Sequence, residues 1–381
     1  MRENAVKSKP FIHVFRRNIA DKKTIVIIKT ASIFAALLMC GLFSNIFSPG
    51  SFFYFYSSIF EGTLSSFNTI LATLWNAALL LLIAAAITPA FKMKFWNIGA
   101  EGQVLMGAFG AAIVMKFAAP HMPNALALLL MLLVGIIFAA VWAFIPAFFK
   151  AMFNTNETLF TLMMNYIAMG FVAAFSYKYR AVGKTSIGII NQETHQGWLP
   201  TIGGYNYIIN IIVVAILVVG VWIYLKYSKH GYEISVLGGS VRTAEYVGIN
   251  VKKTIMRTLV FCGILCGVAG FLIVSGASWT VSENVVKNNG FTAVMVSWLG
   301  HFNPLEMVLY AFLNSVITTG SNTAAGNIGY SGEVSYVLSG LFFLVIITSE
   351  FFINFRIKFN FKRNKNNGDV PPQIQEAKGE K

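Results

Sequence analysis

Of 381 residues, 56% are hydrophobic and only 12% are charged, about half the charged share of an ordinary soluble domain. A soluble chain of this composition would have no core large enough to hide its apolar surface, and apolar runs of about 20 residues, the length that crosses a bilayer, recur along it. The net charge of +14 does not mark a nucleic-acid binder, because the basic residues gather at the ends of those runs, where the positive-inside rule accounts for them.

The predicted fold is an all-α polytopic membrane protein of about ten transmembrane helices. They lie near residues 25–47, 66–90, 102–118, 125–149, 158–177, 207–225, 256–276, 289–302, 305–320 and 334–353. Residues 1–24 form a basic N-terminal segment (Lys7, Lys9, Arg16, Arg17, Lys22, Lys23), residues 25–353 the transmembrane domain, and residues 354–381 a basic, disordered tail (Arg356, Lys358, Lys362, Arg363, Lys365). No cleavable signal peptide is evident, since the first apolar run starts at Ile25 after a charged stretch and is long enough to remain as a span. With both basic ends in the cytoplasm, the loops at Lys92 and Lys94, at Lys150, at 226–257 and at 301–304 are cytoplasmic. Residues 178–206, which carry Lys178, Arg180 and Lys184, form a polar external loop too long for a tight turn.

In chain order, the stretch from Phe95 to Gly107 is the first to carry polar groups beside a span. Pro89 ends the second span, Asn97 is a suitable N-cap for the third, and Glu101 then falls in its first turn, where a carboxylate meets the positive end of the helix dipole. Alternatively, the glycines let the backbone turn within the bundle, so that Asn97, Glu101 and Gln103 face a polar path. The run from Phe153 to Ile167 repeats the capping pattern with Asn156 and Glu157, but Asn165 lies two turns inside the span. A buried amide there must bond another helix or face water.

The segment from Lys226 to Arg257 has no span-length apolar run. Gly238, Gly239 and Ser240 read as a break, Ser240 or Thr243 as a cap, and Gly248 as the end of a short helix carrying Arg242, Glu245, Tyr246 and Val247. That helix either docks a soluble partner or merely joins two spans. Gly263, Gly267 and Gly270 clear one face of the next span for close packing. Thr292, Ser297, Trp298, His301 and Asn303 surround an apolar run that Pro304 ends, and His301 reads as an interfacial histidine. Cys40, Cys262 and Cys266 lie inside apolar runs without disulfide or metal-ligand spacing. No Walker-type loop, metal pair on a helix or serine elbow occurs. No catalytic residue and no metal site is therefore expected, and active transport would draw its energy from an ion gradient or another subunit.

Four motifs combine. They are Trp96-Asn97-Ile98-Gly99-Ala100-Glu101-Gly102-Gln103; Asn156-Glu157 with Thr161-Leu162-Met163-Met164-Asn165-Tyr166; Arg242-Thr243-Ala244-Glu245-Tyr246-Val247-Gly248-Ile249-Asn250; and Gly290-Phe291-Thr292 with Leu299-Gly300-His301-Phe302-Asn303-Pro304. Over residues 60–350 the chain resembles the permease subunit of bacterial ABC importers for simple sugars and nucleosides, especially the nucleoside branch that works with a basic lipoprotein receptor. The resemblance implies import of a nucleoside, a purine nucleoside first, by alternating access across the bacterial plasma membrane. It implies a second, different permease chain as partner, an external substrate-binding lipoprotein, and an ATP-binding subunit with two nucleotide sites. ATP and Mg2+ belong to that subunit, so no cofactor is expected on this chain.

The resemblance also makes residues 233–252 the coupling segment, with Arg242, Glu245, Tyr246, Val247 and Gly248 at its centre, and makes Asn97, Glu101, Gln103, Asn165 and Thr292 path candidates. Trp96 and His301 depart from the family pattern, which leaves a simple sugar such as ribose or galactose as the alternative substrate. An ion-coupled secondary transporter would need ionisable residues in mid-bundle, whereas Glu101, Glu157, Glu306 and Glu350 all map near span ends.

Overall fold

The computed structural model describes residues 12–16, 21–47, 50–180, 186–329 and 333–359. Lys7, Lys9, Arg17, Lys184, Lys362, Arg363, Lys365 and the tail beyond residue 359 lie outside the described residues. Thirteen helices follow one another among those described: α1 (Lys22–Phe47), α2 (Phe52–Leu64), α3 (Phe67–Lys92), α4 (Ala100–Phe117), α5 (Asn124–Phe153), α6 (Glu157–Tyr179), α7 (Ile208–Tyr227), α8 (Lys229–Gly239), α9 (Val241–Tyr246), α10 (Val251–Ile273), α11 (Asn289–Leu299), α12 (Pro304–Ile328) and α13 (Val334–Asn354). Each of the ten predicted spans falls on one of them, and α2, α8 and α9 complete the set. Seven described helices (α1, α3, α5, α6, α7, α10 and α13) are long and apolar enough to cross a bilayer. α11 has only 11 residues, about half the length a spanning helix needs.

The described residues divide into two compact units, one from Leu37 to Phe343 and one made of the chain ends, up to Ala36 and from Leu344. In the terminal unit, strand β1 (Ile12–Arg16) pairs antiparallel with β2 (Phe355–Phe359), Ile12 opposite Phe359 and Arg16 opposite Phe355. The tail predicted from residue 354 thus begins with a paired strand, and its alternating Phe-Arg-Ile-Lys-Phe pattern is the period of a strand. Lys29 and Glu350 form an ion pair at 3.7 Å in the same unit.

In the larger unit α3 and α10 are the central helices, with 72% and 78% of their apolar windows buried against 22% for α5. The composition of α5 shows how a lipid-facing helix packs. Ala127, Met131, Gly135, Ala139, Ala143 and Ala147, every fourth residue, are buried, while Leu126, Leu129, Leu133, Ile137 and Val141 are exposed. Lipid is as apolar as leucine, so close backbone contact rather than bulk drives the association. The small stripe lies on α10, where an added Cβ at Gly263 would sit 2.7 Å from the Ala139 carbonyl, and one at Gly267 would sit 2.7 Å from the Ile136 Cα. α4 joins the same crossing, since a Cβ at Gly107 would sit 2.7 Å from the Gly267 Cα.

Helix ends follow their capping chemistry. Ser66 and Thr69 form a capping box at the start of α3, the Asn156 and Asn250 side chains cap α6 and α10, and Asn303 caps α12 ahead of Pro304. α10 does not end cleanly. It widens into a π-helical turn over Val274–Ser278, and the chain then reverses through Trp279, Lys287 and Asn288, all at positive φ, to enter α11. Residues 186–206 contain no long helix but are held in place. The Asn191 Nδ2 donates to the Met115 carbonyl (2.7 Å), the Leu199 N–H donates to the Ser275 carbonyl (2.9 Å), and Trp198 stacks on Trp279 at 4.4 Å.

Candidate functional site

Three places in the larger unit concentrate polar chemistry. The first is the junction between α3 and α4. Tight turns at Asn97 and Ile98, whose N–H groups reach the Phe95 and Trp96 carbonyls, delay the start of α4 to Ala100. Asn97 is therefore not the cap of α4, as the sequence led us to expect. Gly99 holds that position without a side-chain bond, and the Asn97 Oδ1 instead accepts from the Gly99 N–H (3.1 Å) and the Gln103 Nε2 (3.2 Å). The orphan N–H groups of a new helix still need acceptors, and α6 supplies one. The Asn165 Oδ1 accepts from the Gly102 N–H (2.8 Å), while its Nδ2 donates to the Ile98 carbonyl (2.9 Å). The Thr161 hydroxyl takes the Ile98 N–H (3.2 Å).

Glu101 sits in the first turn of α4, and its carboxylate also closes the start of a second helix. The Asn288 N–H donates to Oε1 (3.0 Å) and the Gly290 N–H to Oε2 (2.6 Å). These donors open α11, so the carboxylate meets two of its orphan N–H groups and the positive end of that dipole. Gly290 is required there, because a Cβ would overlap the Glu101 backbone. Asn97, Glu101, Gln103 and Asn165 are all at most 1% exposed, so the structure brings four of the five path candidates into one buried network. Thr292 stands apart, half-exposed, with its hydroxyl donating to the Asn288 carbonyl one turn back.

The second place is a cavity between α3, α11, α12 and the start of α13, lined by Asn76, Lys287, Asn289, Asn314, Ser315, Thr318, Thr319, Asn322 and Tyr336. Part of its polar lining is tied down. The Ser315 hydroxyl donates to the Thr73 carbonyl (2.7 Å), the Thr318 and Ser339 hydroxyls lie 2.9 Å apart, and the Asn76 Nδ2 reaches the Thr319 hydroxyl (3.4 Å). The Asn314 Oδ1 is buried with no protein partner.

The third place is the segment after α7. α8 is capped by the Ser228 hydroxyl, which accepts from the Gly231 N–H (2.9 Å), and it lies so close to α3 that a Cβ at Gly238 would overlap the Lys92 carbonyl. Ser240 then caps α9, and Gly248 at φ +79° turns the chain towards α10. α9 buries Ala244 and exposes Val241, Arg242, Glu245, Tyr246 (91%) and Val247. A groove beside it is shared with Lys94 and Phe95 of the junction and Lys150, Asn154 and Glu157 of the α5–α6 turn.

His230 locks α8 to its neighbours. The Thr258 hydroxyl already donates to the Thr254 carbonyl (2.7 Å), so it accepts from His230 Nε2–H (3.2 Å), which leaves Nδ1 to accept from the Tyr224 hydroxyl. Burial, together with the nearby Arg257, holds the imidazole below its ordinary pKa.

The family model for the branched-chain amino acid transport system permease component matches residues 25–347. The chain belongs to that permease family. Among curated relatives it is 27% identical to the nucleoside ABC transporter permease protein NupB of Lactococcus lactis, over 76% of this chain and 83% of that one. It is 26% identical to the guanosine ABC transporter permease protein NupP of Bacillus subtilis, over 77% and 85%. It is 25% identical to the glucose ABC transporter permease protein TsgB13 of Haloferax volcanii, over 83% and 85%.

The amide and hydroxyl cavity of this permease is not among the path candidates taken from the sequence, although α12 carries a signal for it. Asn314, Ser315, Thr318, Thr319 and Asn322 recur at the helical period and draw one polar stripe along the helix. Asn76 and Lys287 have no such local signal.

Proposed function

We propose that this permease carries a nucleoside, a purine nucleoside first, into the cell along a path lined in part by the cavity between α3, α11, α12 and α13. The observation that carries the reading is the lining itself, with four asparagines, four hydroxyl groups and one cation, Lys287, and no carboxylate. A zwitterionic amino acid would need a counter-charge for its ammonium once out of water. A neutral solute rich in donors and acceptors is matched by amides and hydroxyls alone, and the unpartnered Asn314 Oδ1 is an acceptor ready for one of its N–H or O–H groups. The nucleoside and guanosine permeases among the relatives support this class. A simple sugar is the second reading, favoured by the hydroxyl-rich stripe and by the glucose permease relative.

α9 and its groove are the docking surface for an ATP-binding subunit with two nucleotide sites, and Arg242, Glu245, Tyr246, Val247 and Gly248 transmit closure to α10 and α3. ATP and Mg2+ stay on that subunit, a second permease chain completes the pore, and an external lipoprotein delivers the substrate. Both chain ends are cytoplasmic. The buried network of Asn97, Glu101, Gln103 and Asn165 shapes the inner part of the path without touching substrate.

Uptake of labelled guanosine by cells expressing the whole transporter tests the substrate. Asn314→Leu abolishes uptake, and excess ribose or galactose does not compete. Uptake of labelled ribose or galactose without uptake of labelled guanosine transfers the reading to sugars, and uptake that survives ATP depletion but collapses with a protonophore overturns ATP-driven import. Glu245→Lys uncouples ATP hydrolysis from substrate, and normal coupling in that variant refutes the docking assignment.

A further inference from the structure

The α7–α8 corner carries a charged cleft unrelated to the substrate cavity. Lys229 opens α8, while Lys253 and Arg257, one turn apart on α10, approach from the other side, and Asn250, Thr254 and Glu233 complete the lining. The three cations are exposed, and none forms an ion pair with a described carboxylate. Three cations thus face one carboxylate across a polar floor in which Thr254 is buried. Unpaired like charges converging on one cleft repel each other unless an anion sits between them.

The neighbouring surface identifies the anion. The Lys226 Nζ lies over the Trp222 ring at 4.9 Å and the Tyr227 ring at 5.3 Å. Trp and Tyr beside a snorkelling lysine mark the headgroup level of a bilayer. Ile223 and Tyr227 on the same turns are exposed, so α7 presents an apolar flank to lipid within a few residues of Lys229, which lines the cleft.

We propose that this cleft binds the phosphate of an anionic phospholipid headgroup, such as phosphatidylglycerol. Lys229, Lys253 and Arg257 hold the phosphate oxygens, and the acyl chains lie along α7 beside Ile223. A bound lipid would fasten the start of α8 to the start of α10, the two ends of the segment that carries α9.

Full-length protein purified in detergent is titrated with short-chain phosphatidylglycerol, short-chain phosphatidylcholine, inorganic phosphate and ATP, and binding is read by native mass spectrometry and by thermal shift. Phosphatidylglycerol binds and phosphatidylcholine does not. The double variant Lys253→Gln/Arg257→Gln weakens binding about 25-fold, since each cation near an anionic surface is worth roughly fivefold. Lys253→Arg/Arg257→Lys, which keeps both charges, retains binding and controls for misfolding, and Lys116→Gln/Lys178→Gln leaves binding unchanged. Three results overturn the proposal: equal affinity for phosphatidylcholine, inorganic phosphate or ATP saturating the site as well as the lipid, or full lipid binding in the double variant. Release of a co-purifying ATP-binding subunit by the double variant, with lipid binding intact, would make the cleft a protein contact instead.

Discussion

Replacing Glu101 by glutamine tests the link between α4 and α11 with a single atom. Each carboxylate oxygen takes one backbone N–H, at 3.0 Å from Asn288 and 2.6 Å from Gly290. An amide keeps one oxygen and turns an NH2 group towards the other N–H, so one charge-assisted bond is lost and two donors face each other. A bond of that kind is worth about 1.5–3 kcal/mol, and stranding a buried donor adds to the loss. Relief from burying a charge offsets part of it, which leaves about 2 kcal/mol against the closed start of α11. That corresponds to roughly 30-fold more frequent opening. Hydrogen exchange of the purified protein, read by mass spectrometry on peptides spanning residues 285–295, should show faster exchange there while peptides from α5 keep wild-type protection. Glu101→Ala, which strands both donors, should open further. Wild-type protection at residues 288–290 in either variant, or a loss spread evenly over all helices, would refute the carboxylate as the clasp.

Three further outcomes follow from the geometry. Asn165→Ala strips partners from the Gly102 N–H and the Ile98 carbonyl and should lower stability by about 2–4 kcal/mol, read as a drop in the unfolding temperature in detergent. Gly238→Ala drives a methyl group onto the Lys92 carbonyl and should destabilise by roughly 1–3 kcal/mol. The matched control Gly220→Ala, with nothing within 4 Å of its added Cβ, should be neutral or slightly stabilising. His230 has a folded-state pKa below its ordinary value, so the folded state resists protonation. Its stabilising contribution is complete above about pH 6.5, the ordinary imidazole value, and is lost as the pH falls below that. The unfolding temperature should therefore decline on acidification, and His230→Gln should flatten that decline.

Apolar length was enough to place every long helix, because a bilayer-spanning segment must satisfy its backbone internally and announces itself as a run. α9 was legible for a different reason, as Ser240 and Gly248 bracket it with a cap and a turn. α8 was not, because its buried face, Ile234, Leu237 and Gly238, is too short and too glycine-rich to stand out from a loop. The junction was half legible. The residues that cluster there were visible as polar groups beside a span, but Asn97 was assigned to the wrong partner, and nothing local tells that the Glu101 carboxylate belongs to α11. A hydrogen bond between residues 187 positions apart leaves no periodic trace. The α12 stripe shows the opposite case, where the period is present but Ser321, Thr323 and Asn327 on the other faces of the helix blur it.

The Glu101 clasp also constrains how the chain is made. Synthesis proceeds from the N-terminus, so α4 exists long before Asn288 and Gly290, with six helices, α5 to α10, in between. Until α11 emerges, the carboxylate has no backbone donors from it and has to stay solvated. Burying that carboxylate is therefore least costly once α11 has arrived, which ties the final packing of an early helix to a late one.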